Sequence, residues 1–219
     1  MDFSTGSALR FGWETFKKRP WFFIGSTVVI LLASGLINAF TTAIDGAMGG
    51  SVEEPSIAGI VINLGLGTLL SMGATAFYLA AHDNPETVDL TTLGHPRPFL
   101  NYLGASILFG LAVAAGFVLL VVPGVIVALM FMFTTFIVID RTLGPIEAMK
   151  ESRRITHGHK WTLLGFSLML VLINLLGILA LVVGLLVTIP VSSLALVSAY
   201  RQLAGRTPPP DAAMIARAA

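Results

Sequence analysis

Two stretches of this chain, Tyr102 to Ile139 and Trp161 to Tyr200, contain no Asp, Glu, Lys or Arg. A hydrocarbon layer about 30 Å thick is crossed by roughly 20 residues of helix, so each stretch is about twice one crossing. Each is therefore predicted to be a helical hairpin. Two shorter apolar runs, Trp21 to Ile44 and Ile57 to Ala81, are single crossings. The expected fold class is all-α: a polytopic membrane helical bundle of six transmembrane helices. Soluble helices break such runs with a polar face, and none appears here. Composition agrees, with 55% hydrophobic and 11% charged residues, where soluble domains carry roughly a quarter charged.

The spans are placed at about 21–43, 57–81, 101–122, 123–139, 161–183 and 185–200, in one membrane domain covering 1–205. Pro123-Gly124 is the expected turn between spans 3 and 4, and Gly184 divides spans 5 and 6. Two further helices, about 5–19 and 145–157, are expected on the cytoplasmic interface. In the first, Leu9, Trp13 and Phe16 form one apolar stripe, Ser4 or Thr5 is a cap, and Pro20 ends the helix. In the second, Pro145 occupies the first turn and Gly158 lies just past the end. The start of the sequence has no apolar segment with a small-residue cleavage site, which argues against a removable signal peptide. The Pro/Ala-rich stretch 206–219 is expected to be a disordered tail. There are no cysteines, hence no disulfides.

Charge sets the orientation. With the N-terminus inside, all 13 Lys and Arg residues fall in 1–20, 82–100, 140–160 and 201–219. The opposite side carries only Asp45, Glu53 and Glu54. By the positive-inside rule both termini are cytoplasmic and the location is the inner membrane. The segment "AMKESRRITHGHKW" is the densest basic cluster. With Lys17, Lys18 and Arg19, its Arg153, Arg154, His157, His159 and Lys160 form a rim suited to anionic headgroups, at about 1 kcal/mol per cation. The plainer reading is that these residues only fix topology. A shift of 140 aligns 8–25 with 148–165 and keeps the order of helix, basic patch, Trp and span. That order suggests two parallel units.

The spans carry no acid or base at mid-depth, which disfavours an ion-coupled pump with its own proton pathway. Their amides and hydroxyls are expected to make interhelical hydrogen bonds, and Asn63 and Asn174 are the residues placed in an intramembrane polar pocket. His157 and His159 are two apart, and no HExxH or similar metal spacing occurs. No metal and no cofactor is expected. There is no GxSxG, P-loop or GxGxxG with a following acid, so no catalytic residue is assigned. A membrane-embedded hydrolase would need Asp140 to meet His157 or His159.

The stretch "VVPGVIVALMFMFTTFIVIDRTLGPIEAMKESRRITHGHKWTLLG" combines a Pro-Gly opening a span, an Asp at its end and a basic-Gly-basic-Trp entry to the next. It resembles the bacterial and archaeal family of glycerophosphoryl diester phosphodiesterase membrane domains and their uncharacterised relatives. "ALRFGWETFKKRPW" and "SAYRQL" are similar to that family's ends. The resemblance implies a membrane part without the catalytic domain, with Pro123, Gly124, Asp140, Pro145, Ala148, Ser152, Gly158 and Trp161 as its structural motif. The function expected is non-enzymatic: binding or moving a lipid or hydrophobic small molecule. Alternatives are an accessory or assembly subunit of a larger membrane complex, or the hydrolase above. Expected partners are membrane lipids, with a homo-oligomer or other membrane subunits, and no nucleic acid.

Overall fold

The computed structural model describes residues 4–50, 56–94, 98–180 and 183–205. The helices are α1 (Thr5–Lys18), α2 (Pro20–Ala47), α3 (Ile57–Asp83), α4 (Phe99–Leu119), α5 (Val121–Phe131), α6 (Thr134–Arg141), α7 (Pro145–Thr156), α8 (Lys160–Leu179) and α9 (Leu185–Ala204), with a 3-10 turn at Leu90–Gly94 before α4. Six helices are long and apolar enough to cross a membrane: α2, α3, α4, α5 with α6 as Val121–Arg141, α8 and α9. The expected all-helical membrane bundle is therefore present. Span 1 runs farther than expected, to Ala47, and span 3 ends earlier, at Leu119. The expected tail at 206–219, with Arg206 and Arg217, lies outside the described residues, as do His95, Arg97, Glu53 and Glu54.

The spans pair as three hairpins, α2–α3, α4–α5/α6 and α8–α9, and the hairpins form a ring. The second helix of each is central: α3 contacts both α6 and α9, and α6 is bonded to α9 through Asp140 and Tyr200. The first helices lie outside, with α2 on α9, α4 on α3 and α8 on α5. A short segment precedes each hairpin and docks on the second helix of the hairpin before it. The Leu90–Gly94 turn sits on α3, α7 sits on α5 and α6, and α1 closes the ring on α9. Burial follows this order, since the apolar stretch of α9 is 44% buried and those of α2, α4 and α8 are 17%.

Glycine permits the tightest contacts. A Cβ on Gly116 would lie 2.9 Å from the Gly124 Cα, and one on Gly177 3.2 Å from the Gly184 carbonyl carbon. Pro123-Gly124 is thus not the turn. The chain reverses at Leu120, which is extended (φ −176°, ψ 163°), and Pro123 sits in the first turn of α5. A helix start tolerates proline because its missing N–H has no intrahelical acceptor there. Gly124 follows, and the Phe117 ring of α4 occupies the place that its Cβ would take.

The first helix corrects the expected stripe. α1 buries Ala8, Gly12, Thr15 and Phe16, whereas Trp13 is 47% exposed. It is docked along α9 rather than lying free in the interface. Ser4 N–H and Ser7 Oγ reach the Gln202 side chain, and a Cβ on Gly12 would meet the Val191 carbonyl oxygen at 2.6 Å and the Ala195 nitrogen at 3.0 Å. The second short helix behaves alike. From Thr5 to Pro20 and from Pro145 to Lys160 the order of buried, half-buried and exposed positions is identical residue for residue. Ala8 and Ala148 are both fully buried. The shift of 140 read from the sequence is therefore also the register in which the two helices pack.

Large buried side chains gather near the termini-bearing face, among them Phe23, Phe77, Phe133, Phe166, Leu194 and Tyr200. In the distal halves many described buried positions are small or polar, such as Thr41, Asp45, Gly59, Gly116 and Gly177, beside a few apolar ones such as Leu129 and Val191. Leu32, Leu36, Leu111, Val118 and Leu176 are all more than 60% exposed there. The hairpins are held together at one end and present bare apolar faces at the other. If Gly12 admits α1 to α9, Gly12→Leu overpacks a backbone contact and should cost about 1–3 kcal/mol. Gly6→Leu, whose Cβ position has nothing within 4 Å, should leave the thermal midpoint of the detergent-solubilised protein unchanged.

Candidate functional site

The ends of the three central helices are locked by charge. Arg201 of α9 donates Nη1 to Asp140 Oδ1 at 2.9 Å and Nη2 to Asp83 Oδ2 at 2.6 Å. Tyr200 Oη donates to Asp140 Oδ2 at 2.7 Å. The Arg201 and Asp140 side chains are 11% and 6% exposed. Pairing of this kind keeps a desolvated carboxylate tolerable. Asp140 is thus held by both oxygens on α9, while His157 and His159 are at the end of α7, with His159 Nδ1 against the His157 carbonyl oxygen at 3.2 Å. This geometry gives Asp140 a structural part. Among the described residues no three His, Asp or Glu side chains converge on a metal-sized site.

A second structural task falls to α7. Span 4 breaks between α5 and α6 at Met132 and Phe133, with no proline or glycine in "LMFMFTT". Ser152 Oγ accepts the Phe133 N–H at 3.3 Å and donates to the Met130 carbonyl at 3.0 Å; Thr156 Oγ1 donates to the same carbonyl at 3.2 Å. Backbone groups loosened at membrane depth must find partners inside the protein, and α7 supplies them. Pro145 opens this helix after Gly144, and Gly158 (φ +83°) turns the chain into α8. Ser152→Ala should cost about 1–3 kcal/mol, because it strands a buried N–H. An unchanged unfolding midpoint in detergent would show that the break is held otherwise.

The basic rim is in place but not uniform. Lys17 and Lys18 are exposed in the last turn of α1, with Lys17 Nζ 5.8 Å from the Trp13 ring. Arg19 is engaged inward: Nη1 donates to the Glu86 and Val88 carbonyls at 3.0 and 3.2 Å, and the guanidinium covers Phe22. On α7, Lys150, Arg153, Arg154 and His157 line one shallow depression of about 370 Å³. Lys160 opens α8, and Trp161 beside it is 85% exposed, as Trp21 is 83% exposed at the start of α2. Exposed Trp at span starts is the usual mark of a headgroup boundary.

Glu151, on the same helix, pairs with one cation of that patch. Arg154 donates to it from Nε and Nη2, both at 2.6 Å, and Arg141 donates from Nη1. These bonds, Arg154's first, hold its carboxyl below the usual carboxylate range. A depressed folded value means that the stabilisation is complete above the unfolded value, about 4.3, and is lost as pH falls through the folded one. The thermal midpoints of wild type and Glu151→Gln should therefore differ above about pH 5 and draw together as the pH falls below about 4.3 and through the lower folded value.

Asn63 and Asn174 line separate grooves. Asn174 Nδ2 donates to Ser192 Oγ at 3.0 Å across α8–α9, and its Oδ1 is buried without a hydrogen-bond partner. Asn63 Nδ2 spans α2–α3 to Thr41 Oγ1 at 3.3 Å and Asn38 Oδ1 at 3.5 Å. Two other polar residues expected to bridge helices bond within their own region, Ser71 to the Gly67 carbonyl and Thr134 to the Phe131 carbonyl, whereas Thr135 reaches Tyr102 of α4. The α2–α3 groove, about 690 Å³, also contains Asn38, Thr41, Thr42 and Asp45. From the sequence, Asn63 is favoured over Asn38 because Asn38 lies near the outer end of span 1, and Thr41, Thr42 and Asp45 are not singled out as site residues. Their signal was visible, since a polar residue recurs every three or four positions from Asn38 to Asp45.

Residues 101–207 match the family described as "Protein of unknown function (DUF975)". Uncharacterized proteins of Mycobacterium bovis and of two Mycobacterium tuberculosis strains are each 29% identical over 233 residues, covering 93% of this chain and 69% of the relative. No solved structure matches. The resemblance read from the motif region thus holds in its coarser form, similarity to uncharacterised proteins, and the glycerophosphoryl diester phosphodiesterase link has no counterpart among these matches. Over its second half the chain resembles a family of unknown function, and over nearly all its length these mycobacterial proteins.

Proposed function

We propose that this multi-pass membrane protein is a non-enzymatic lipid-binding protein of the inner membrane, termini in the cytoplasm. It would hold or move a lipid or other hydrophobic molecule along its splayed hairpins. One observation carries the reading: the molecule is closed and basic at one end, and open and apolar at the other. At the basic end Lys150, Arg153, Arg154 and His157 share one depression beside the exposed Trp161. Each such cation adds about 1 kcal/mol of attraction to an anionic leaflet. At the open end, exposed leucines and valines on three hairpins face hydrocarbon, where acyl chains can enter between them.

The bare hairpin faces also favour the second reading, an accessory subunit whose spans receive those of another protein. Gel filtration of the protein in mild detergent, coupled to lipid extraction and mass spectrometry, separates the two. The lipid-binding reading expects a small homogeneous particle that retains anionic phospholipid. Changing Lys150 and Arg153 together to Gln, which spares the Arg154–Glu151 pair, should reduce that retention severalfold while the thermal midpoint holds. Purification free of specific lipid, or only within a larger assembly, would overturn it.

A further inference from the structure

Asp45 is a carboxylate with no cation near it among the described residues. It is 9% exposed at the distal end of α2, and the described Lys, Arg and His side chains belong to the opposite ends of the spans or their connections. From Pro20 to Asp45 the helix rises roughly 38 Å, far beyond the reach of any of those side chains. Its described partner is Ser56, which donates its N–H to Asp45 Oδ1 at 2.8 Å and its hydroxyl at 2.5 Å. The same Ser56 caps α3. Holding a carboxylate at the start of α3 is favourable in itself. That cap explains why an acid stands there, but not why it opens onto a polar groove.

The groove wall is built of acceptors. Asn38 spends its Nδ2 on the Ser34 carbonyl at 2.8 Å, and Thr41 spends its hydroxyl proton on the Ile37 and Asn38 carbonyls. Asn63 spends its Nδ2 on Asn38 and Thr41. With those donors engaged inward, the acceptors that this wall offers a ligand are the amide oxygens of Asn38 and Asn63 and the Asp45 carboxylate, beside the Thr42 hydroxyl. About 690 Å³ lies between them, within the range of small-molecule sites. The deeper wall is Ile60 and Leu64, 51% and 44% exposed and continuous with the apolar face of α3.

We infer that the α2–α3 groove binds the primary ammonium headgroup of a membrane amphiphile, with N–H donors to Asp45 and the two Asn side chains and an alkyl chain running over Ile60 and Leu64. The inference rests on the lipid-binding reading of the hairpins but not on the basic rim. Chemistry separates the right ligand from a near copy. A phosphatidylethanolamine ammonium has three N–H donors, whereas a phosphatidylcholine headgroup has the same charge and none.

The test is native mass spectrometry of the full chain in detergent with equal phosphatidylethanolamine, phosphatidylcholine and phosphatidylglycerol of matched acyl chains. The ethanolamine lipid should be retained roughly tenfold over the choline lipid, the ratio expected for a charge-assisted hydrogen bond. Asp45→Asn should abolish that preference and leave phosphatidylglycerol retention, which reports the basic rim, unchanged. Asp45→Asn also weakens the α3 cap, so Asn63→Leu is the second variant; it spares Ser56 and should lower the ratio severalfold. Equal retention of the ethanolamine and choline lipids, or a preference surviving both variants, would overturn the inference. Equivalent competition by soluble ethanolamine would show that no membrane amphiphile is required, and overturn it likewise. Loss of phosphatidylglycerol retention alone would count against the rim and leave the groove standing.

Discussion

The ion cluster that Arg201 makes with Asp83 and Asp140 is the constraint on which the architecture depends. Helices in lipid gain little from burying apolar side chains against each other, because the hydrocarbon around them is equally apolar. Something else must choose which helices become central. Here a nearly buried guanidinium at the end of α9 accepts one carboxylate from α3 and one from α6, and Tyr200 takes the remaining oxygen of Asp140. Removing one partner from such a site strands the others. The three central helices are thereby joined at the same end, and the large aromatic core forms beside that junction.

The remaining contacts follow from close approach rather than from hydrophobicity. Within each hairpin a glycine lets the partner helix come close: Gly116 and Gly177 meet the backbones of Gly124 and Gly184, and Gly59 meets the Asp45 carboxylate. Between hairpins the short segments complete the ring. α1 enters through Gly12, α7 through the hydroxyls of Ser152 and Thr156, and the Leu90–Gly94 turn brings the Leu93 carbonyl against Gly73. All these devices satisfy backbone groups or let backbones pack, which is the chief demand that a membrane makes of a helical protein. The distal halves of α2, α4 and α8 keep exposed apolar faces.

One consequence concerns how polar residues divide between fold and function. Arg19, Asp140, Ser152 and Gly158 all stood out in the sequence, and each has a structural task visible in its bonds or its backbone angle. Lys150, Arg153, Arg154 and Trp161 face outward around one depression or at a span start. The groove beside Asp45 belongs to neither set, being polar, distal and far from the basic rim.

Composition and the spacing of charge alone pointed to a helical chain with six helices long and apolar enough to cross a membrane, and to cations clustered in alternate connections of the sequence. Those properties depend on the thickness of a bilayer and the cost of burying charge, and both can be counted along a sequence. The shift of 140 was legible too, as a weak match whose meaning is a shared burial register. The break in span 4 was not. No proline or glycine marks it, and it exists because Ser152 and Thr156, some twenty residues farther on, bind Met130 and Phe133. Nor was the face by which α1 docks, since Trp13 and Gly12 are neighbours on one turn and only the proximity of Val191 decides which goes inward. The junction of Asp83, Asp140 and Arg201 likewise needed the ring to be closed. Such features depend on which surfaces meet across long separations, and local pattern carries no record of that.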